Sequence, residues 1–156
     1  MLAEGPDAKF GKLAERTRGR TMTEFTGGCA CGQVRYRFTA QPGFVGHCYC
    51  RDCQLATGSA FTSVLAIPKG DLDVTGDVRS YTVAADSGRK VTRSFCGECG
   101  TPLFTDAEMN TDDRFIKLTT LDQPDQFEPQ MNCWTGSAPA WSPIADAPIS
   151  FSGNPE

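Results

Sequence analysis

Seven of the eight cysteines in this 156-residue chain fall into three tight groups: Cys29 with Cys31, Cys48 with Cys50 and Cys53, and Cys96 with Cys99; Cys133 stands alone. Eight cysteines in a chain of this length lie below the density of a small disulfide scaffold. In a reducing compartment such clusters read as metal ligands. Tetrahedral zinc holds thiolate sulfurs at about 2.3 Å, which places neighbouring sulfurs roughly 3.8 Å apart. Cysteines two or three positions apart around a tight turn meet that demand. A glycine directly after a cysteine, as at Gly32, Gly97 and Gly100, tolerates positive φ and lets backbone N–H groups turn toward the sulfurs. The pairs Cys29/Cys31 and Cys96/Cys99 would together close a four-thiolate structural site. Disulfides and redox-active Cys-x-x-Cys chemistry are the alternatives, and spacing alone does not say which pair joins which group.

The middle group, Cys48-Tyr49-Cys50-Arg51-Asp52-Cys53, offers three sulfurs within six residues. Three protein ligands plus one open position is how catalytic zinc is usually built. Such an ion would polarise an aldehyde oxygen, hold a substrate thiolate or lower the pKa of a bound water. Three thiolates and one Zn²⁺ sum to −1, far easier to bury than three bare thiolates. Cys133 and His47, the only histidine, are the candidates for a fourth ligand, set against a plain buried thiol and a supporting or surface imidazole. Tyr49 and Arg51 are candidates for contact with a substrate, Arg51 as a cation near an anionic centre; for Arg51 and Asp52 a solvated salt-bridging turn is the competing account. Trp134 and Trp141 are expected in the core or a pocket wall. A thioredoxin-type role for Cys50 and Cys53 finds no βαβ pattern around it.

The elements that must position these groups read as short strands. From Gly32 the pattern has period two, with Val34, Tyr36 and Phe38 on one face and Gln33, Arg35 and Arg37 on the other, the alternation of a half-buried strand. Phe61–Ile67, Val78–Ala84, Lys90–Phe95, Arg114–Leu121 and Ile149–Phe151 are rich in β-branched and aromatic residues, with Gly or Pro between them. One helical turn is expected at Asp52–Thr57. A mainly β protein with very little helix follows. Residues 1–21 carry five Lys+Arg against three acids and few apolar positions, so a flexible tail is expected there, with one zinc-binding domain over 22–156. Met22 is a candidate translation start.

The formal net charge is −4, and two Zn²⁺ with seven thiolates would move it to about −7. With no basic cluster to neutralise phosphates, nucleic acid is not the expected partner. No stretch approaches the roughly 18 apolar residues of a membrane span, and no secretory signal is evident, so no membrane partner and a cytoplasmic location are expected.

The ordered set Gly-Gly-Cys29-Ala-Cys31-Gly, Cys48-Tyr-Cys50-Arg-Asp-Cys53 running into Ala56-Thr-Gly-Ser-Ala-Phe61, and Arg93-Ser-Phe-Cys96-Gly-Glu-Cys99-Gly-Thr resembles the glutathione-dependent formaldehyde-activating enzyme family, also called the GFA or centromere protein V family. The resemblance runs from about Phe25 to Phe151. It implies an Mss4-like β-sheet fold and two zinc ions per chain, a structural one on Cys29, Cys31, Cys96 and Cys99 and a catalytic one on Cys48, Cys50 and Cys53. It also implies condensation of glutathione with formaldehyde to S-hydroxymethylglutathione, classed as a carbon–sulfur lyase activity. Tyr49 stands where family members often carry His, and so does Asn132, in Pro129-Gln-Met-Asn132. The expected function is therefore a zinc-dependent carbon–sulfur lyase joining a glutathione-like thiol to a small aldehyde. Tyr49, His47 or water would supply the proton. A zinc-stabilised binding or scaffold module using the Trp134 and Trp141 surface is the alternative.

Overall fold

In the computed structural model, which describes residues 22–155, eleven strands, one short helix and several 3-10 turns build two sheets. The expected N-terminal tail lies outside the described residues. Strands β1 (Phe25–Gly28), β2 (Arg35–Phe38) and β5 (Asp73–Thr75) form a small antiparallel sheet in the order β1-β2-β5. The larger sheet has eight strands. These are β3 (Phe44–Cys48), β4 (Thr62–Pro68), β6 (Val78–Ala84), β7 (Lys90–Cys96), β8 (Pro102–Ala107), β9 (Asn110–Lys117), β10 (Met131–Cys133) and β11 (Ile149–Ser150), in the order β11-β10-β3-β4-β9-β8-β7-β6. All of its pairings are antiparallel except β10 with β3 and β11 with β10.

The alternation in β2 has the expected consequence. Val34, Tyr36 and Phe38 are buried, whereas Gln33, Arg35 and Arg37 are exposed. The buried set meets Leu65, Ile67, Leu103, Phe104 and Ile116 of the large sheet in one apolar cluster, so the core lies between the sheets and removes both apolar faces from water. Aromatic contacts extend it, with Phe25 5.2 Å from Phe38 and Tyr36 edge-on to Phe104 at 5.4 Å between ring centroids. On the outer face of the small sheet, Arg35 pairs with Asp122, and Arg37 with Asp73 at 2.9 Å.

The expected strand Arg114–Leu121 ends early. β9 stops at Lys117 and the chain turns through a 3-10 segment, Leu118–Thr120, whose Thr120 hydroxyl donates to the Lys117 carbonyl at 2.7 Å. That turn also binds the small sheet, since the Tyr36 and Thr120 hydroxyls lie 2.8 Å apart. The expected helical turn is α1 (Arg51–Thr57), closed by Gly58 at φ 65°, a left-handed cap that glycine adopts without strain. Trp134 and Trp141 are not core residues: Trp141 is 78% exposed and Trp134 is 36% exposed.

Gly27 shows how tightly β1 packs against its neighbours in β2 and the Leu118–Thr120 turn. A Cβ there would overlap the Tyr36 hydroxyl and the Thr120 carbonyl. Gly27→Ala should therefore destabilise the protein by about 1–3 kcal/mol through overpacking, measured as a lower urea midpoint, whereas Gly43→Ala, which meets open space, should leave the midpoint nearly unchanged.

Candidate metal centres

The turn after β1 carries Cys29 and Cys31, and the turn joining β7 to β8 carries Cys96 and Cys99. Their four sulfurs all lie within 4.8 Å of one another. Cys29 Sγ is 3.4 Å from Cys31 Sγ, which is 3.7 Å from Cys96 Sγ, close to the separation tetrahedral zinc imposes. This set fits a closed thiolate site, and it ties the small sheet to the large one.

Backbone groups prepare the sulfurs for negative charge. The Val34 N–H donates to Cys29 Sγ at 3.2 Å and holds that thiol below its ordinary pKa. Cys99 is lowered to about 5, first by the Thr101 hydroxyl, 3.1 Å away, and then by backbone N–H groups of Thr101 and Cys31. Gly32 and Gly100 adopt φ of 79° and 75°, as their positions after a cysteine suggested. Their own N–H groups bond the carbonyls of Cys29 and Cys96, which tightens the turns so that later N–H groups reach the sulfurs. Gly97 differs. Its φ is not positive; its N–H bonds the Asp77 carbonyl at 3.0 Å, and a Cβ there would strike the Asp77 carboxylate.

The second cluster is local. Cys48 ends β3, Cys50 caps α1 and Cys53 lies in its first turn. The Cys53 N–H points at Cys50 Sγ, 3.4 Å away, and the three sulfurs lie within 4.8 Å of one another. Among the described residues no further His, Cys, Asp or Glu joins this group. The neighbours decide how protons distribute. Cys50 is lowered to about 2 because Cys48 and then Cys53 donate to it, and Cys48 is driven far up for the same reason. Cys53 gains from Cys48 but is raised to about 11 by Cys50 and by burial. One thiolate thus forms easily and the next two are opposed, which is the condition a divalent cation relieves. The donor set fits zinc with one position left for another ligand.

The structure distributes the other candidate residues around this cluster. Tyr49 is fully buried; its hydroxyl accepts the Ala145 N–H at 2.9 Å and its ring packs 4.9 Å from Phe61. Arg51 is exposed and donates to the Gln54 side chain at 3.2 Å. Gln54 is buried and donates to the carbonyls of Tyr49 and Ser137 at 2.7 and 2.9 Å, fastening α1 to the segment after β10. His47 Nδ1 lies 2.9 Å from Ser63 Oγ, outside the sulfur cluster, and burial lowers its pKa. Cys133 pairs with Cys48 across the parallel β10–β3 ladder but is not part of the cluster, and burial raises its thiol. Asn132 is buried, its amide N–H₂ held by the Ala145 carbonyl and Ser150 hydroxyl at 2.7 and 3.1 Å.

Two cations act on the three sulfurs that the cysteine motif did not signal. Lys117, 6% exposed at the end of β9, lowers Cys53, and Arg93 of β7 lowers Cys50. Lys117 donates to Thr62 Oγ1 at 3.0 Å, and Thr62 is the strand partner of Cys48. A cleft of about 410 Å³ is lined by Lys117 and Thr62, with Thr57, Phe61 and Thr119 and, on the side of the four-sulfur cluster, Thr101.

A mainly β fold whose two cysteine clusters have metal-binding geometry defines a class of cysteine-rich β-sheet protein. Within it the chain belongs to the family described as glutathione-dependent formaldehyde-activating enzyme, which residues 24–137 match. The architecture is the β-rich, Mss4-like one that membership implies. A crystal structure of a Rhodobacter sphaeroides protein is similar in fold, with a TM-score of 0.53 at 20% identity over 67% of this chain and 96% of that one. No curated protein matches the chain.

Removing the Tyr49 hydroxyl leaves the Ala145 N–H without its acceptor. Tyr49→Phe should cost about 1 kcal/mol or slightly more in a chemical denaturation curve. Arg51→Ala, on the exposed face of α1, should shift the curve by no more than about 0.5 kcal/mol.

Proposed function

We propose that this chain is a zinc-dependent carbon–sulfur lyase of the GFA type that joins a small thiol such as glutathione to a small aldehyde. The observation that carries this reading is the contrast between the clusters: four converging sulfurs in one and three in the other, whose Cys48 is the strand partner of Thr62 in the wall of an open cleft. Cys29, Cys31, Cys96 and Cys99 would hold a structural zinc, and Cys48, Cys50 and Cys53 a second one. Residues 22–156 would act as a single cytoplasmic unit, without nucleic acid or membrane as partner; among the described residues no helix is long and apolar enough to cross a membrane.

Bound at the second cluster, zinc supplies Lewis acidity and a soft position that suits a thiolate. The chain's own residues do the rest. Gln54 fixes the loop that aims Cys50 and Cys53. Lys117 and Arg93 offset the charge of the cysteines. The thiol sulfur bonds to the aldehyde carbon, the thiol gives up its proton and the aldehyde oxygen gains one, so nothing is oxidised or reduced. The Tyr49 hydroxyl accepts the Ala145 N–H and keeps its own proton; water or Tyr49 would supply the proton at the aldehyde oxygen, and His47, whose imidazole burial favours in its neutral form, would take up the proton the thiol gives away and pass it on.

One observation favours the binding-module alternative: Trp134, Trp141, Ile144 and Ile149 are all exposed along the C-terminal segment, an apolar surface of the kind that receives partners. The two readings separate on the second cluster.

Elemental analysis should find two zinc ions per chain in the wild type and one in Cys50→Ser. In cobalt-substituted protein, glutathione should shift the thiolate-to-metal absorption bands of the wild type but not of Cys50→Ser. Two ions with no response to any thiol would support the binding module. Protons compete with metal for the thiolates, so both ions should be retained at neutral and alkaline pH and released as pH falls, measured with a chromophoric chelator.

A further inference from the structure

Lys117 is an unusual lysine. Its side chain is almost wholly buried, its hydrogen bond goes to the neutral Thr62 hydroxyl, and no ion pair among the described residues includes it. A buried ammonium without a carboxylate is costly unless negative charge is close by. The negative charge near Lys117 comes from Cys53, Cys48 and Cys50. The β-ladder explains the placement: Lys117 lies opposite Val64 in β4, its side chain reaches Thr62 one pleat along, and Thr62 lies opposite Cys48 in β3.

The same side chain lies in the lining of the 410 Å³ cleft, where Thr57, Ser59, Thr62, Ser63 and Thr119 contribute hydroxyls. Thr57 spends its proton on the Cys53 carbonyl and Ser63 pairs with His47, whereas Thr62 accepts from Lys117 and so keeps its own proton to give; an ammonium beside hydroxyls that can still donate is an arrangement for an anion. Charge accounting agrees. Three thiolates and a dication leave −1, Lys117 brings the centre to zero, and Arg93 leaves one positive charge. The centre with its two cations therefore has room for one further anion.

We propose that the cleft is the ligand pocket of the three-cysteine centre and that Lys117 is its charge-selecting residue, admitting small monoanions in preference to neutral molecules of similar size. The inference deepens the carbon–sulfur lyase reading and rests on it for the identity of the natural anion, a thiolate. Lys117 acts here as a positioning residue, holding the incoming negative charge without exchanging a proton. Arg51, out on the exposed face of α1, is not part of this device.

The test uses full-length cobalt-substituted protein and two probes followed by visible absorption: thiocyanate, a monoanion, and imidazole, a neutral ligand. Lys117→Met keeps the length of the buried side chain without its charge. It should weaken thiocyanate binding about tenfold or more, the size expected for losing one nearby charge at moderate dielectric. Imidazole binding should change by less than about twofold, and Lys117→Arg should recover part of the thiocyanate affinity. Equal weakening of both probes, no weakening of either, or no binding of either to the wild type would overturn the proposal. Failure of the lyase reading looks different: thiocyanate binding would depend on Lys117 while glutathione left the wild-type spectrum unmoved. If glutathione shifts the spectra of wild type and Lys117→Met with the same affinity, the lyase reading stands and this proposal falls.

Discussion

Bare thiolates cannot be buried in numbers, and that constraint organises this molecule. Seven cysteines converge in two clusters, and each cluster meets the charge problem differently. The four-sulfur cluster keeps Cys31 and Cys99 at the surface and turns backbone N–H groups toward its sulfurs. The three-sulfur cluster, half-buried throughout, draws on the charges of whole side chains, Lys117 and Arg93, on other strands. The first is a joint between sheets; the second offers three sulfurs where the first offers four.

Two signals made strands legible in the sequence: period-two alternation for β2, and runs rich in β-branched and aromatic residues for β4, β6, β7 and β9. β2 lies where Val34, Tyr36 and Phe38 indicated, because period two is a direct image of the pleat, and β6 and β7 begin at Val78 and Lys90 as their composition indicated. β3, β8 and β10 escaped notice for identifiable reasons. β3 contains Gly46 and His47, β8 starts on a proline, and β10 is three residues long and pairs in parallel with a strand more than eighty residues earlier. A parallel ladder between distant segments leaves no local turn to announce it. The break at Lys117 was hidden because Leu118 and Leu121 remain buried after the strand has become a 3-10 turn.

The site was legible to a similar depth. Tight spacing exposed the cysteine groups, and the partition into four and three came from the family resemblance. Spacing carries no information about charges arriving from other strands, so Arg51, adjacent in sequence, was the natural choice of cation, whereas Lys117 brings its charge near the sulfurs from β9, bonded to Thr62, the strand partner of Cys48. The expectation that Trp134 and Trp141 lie in the core or a pocket wall rested on residue type alone; both are exposed in the C-terminal segment, outside the apolar cluster between the sheets.

The two clusters also differ in when a growing or refolding chain can assemble them. Cys48, Cys50 and Cys53 are separated by at most five positions, whereas Cys31 and Cys96 are 65 apart. Closing the longer loop costs about 2 kcal/mol more in chain entropy, and it demands that both sheets already be in place. The local triad can capture a metal ion while the chain is still unfolded; the distributed tetrad can do so only as the last turns dock. Metal acquisition would therefore be ordered in time by contact distance along the chain, with the three-sulfur cluster able to load early and the four-sulfur joint between the sheets able to load late.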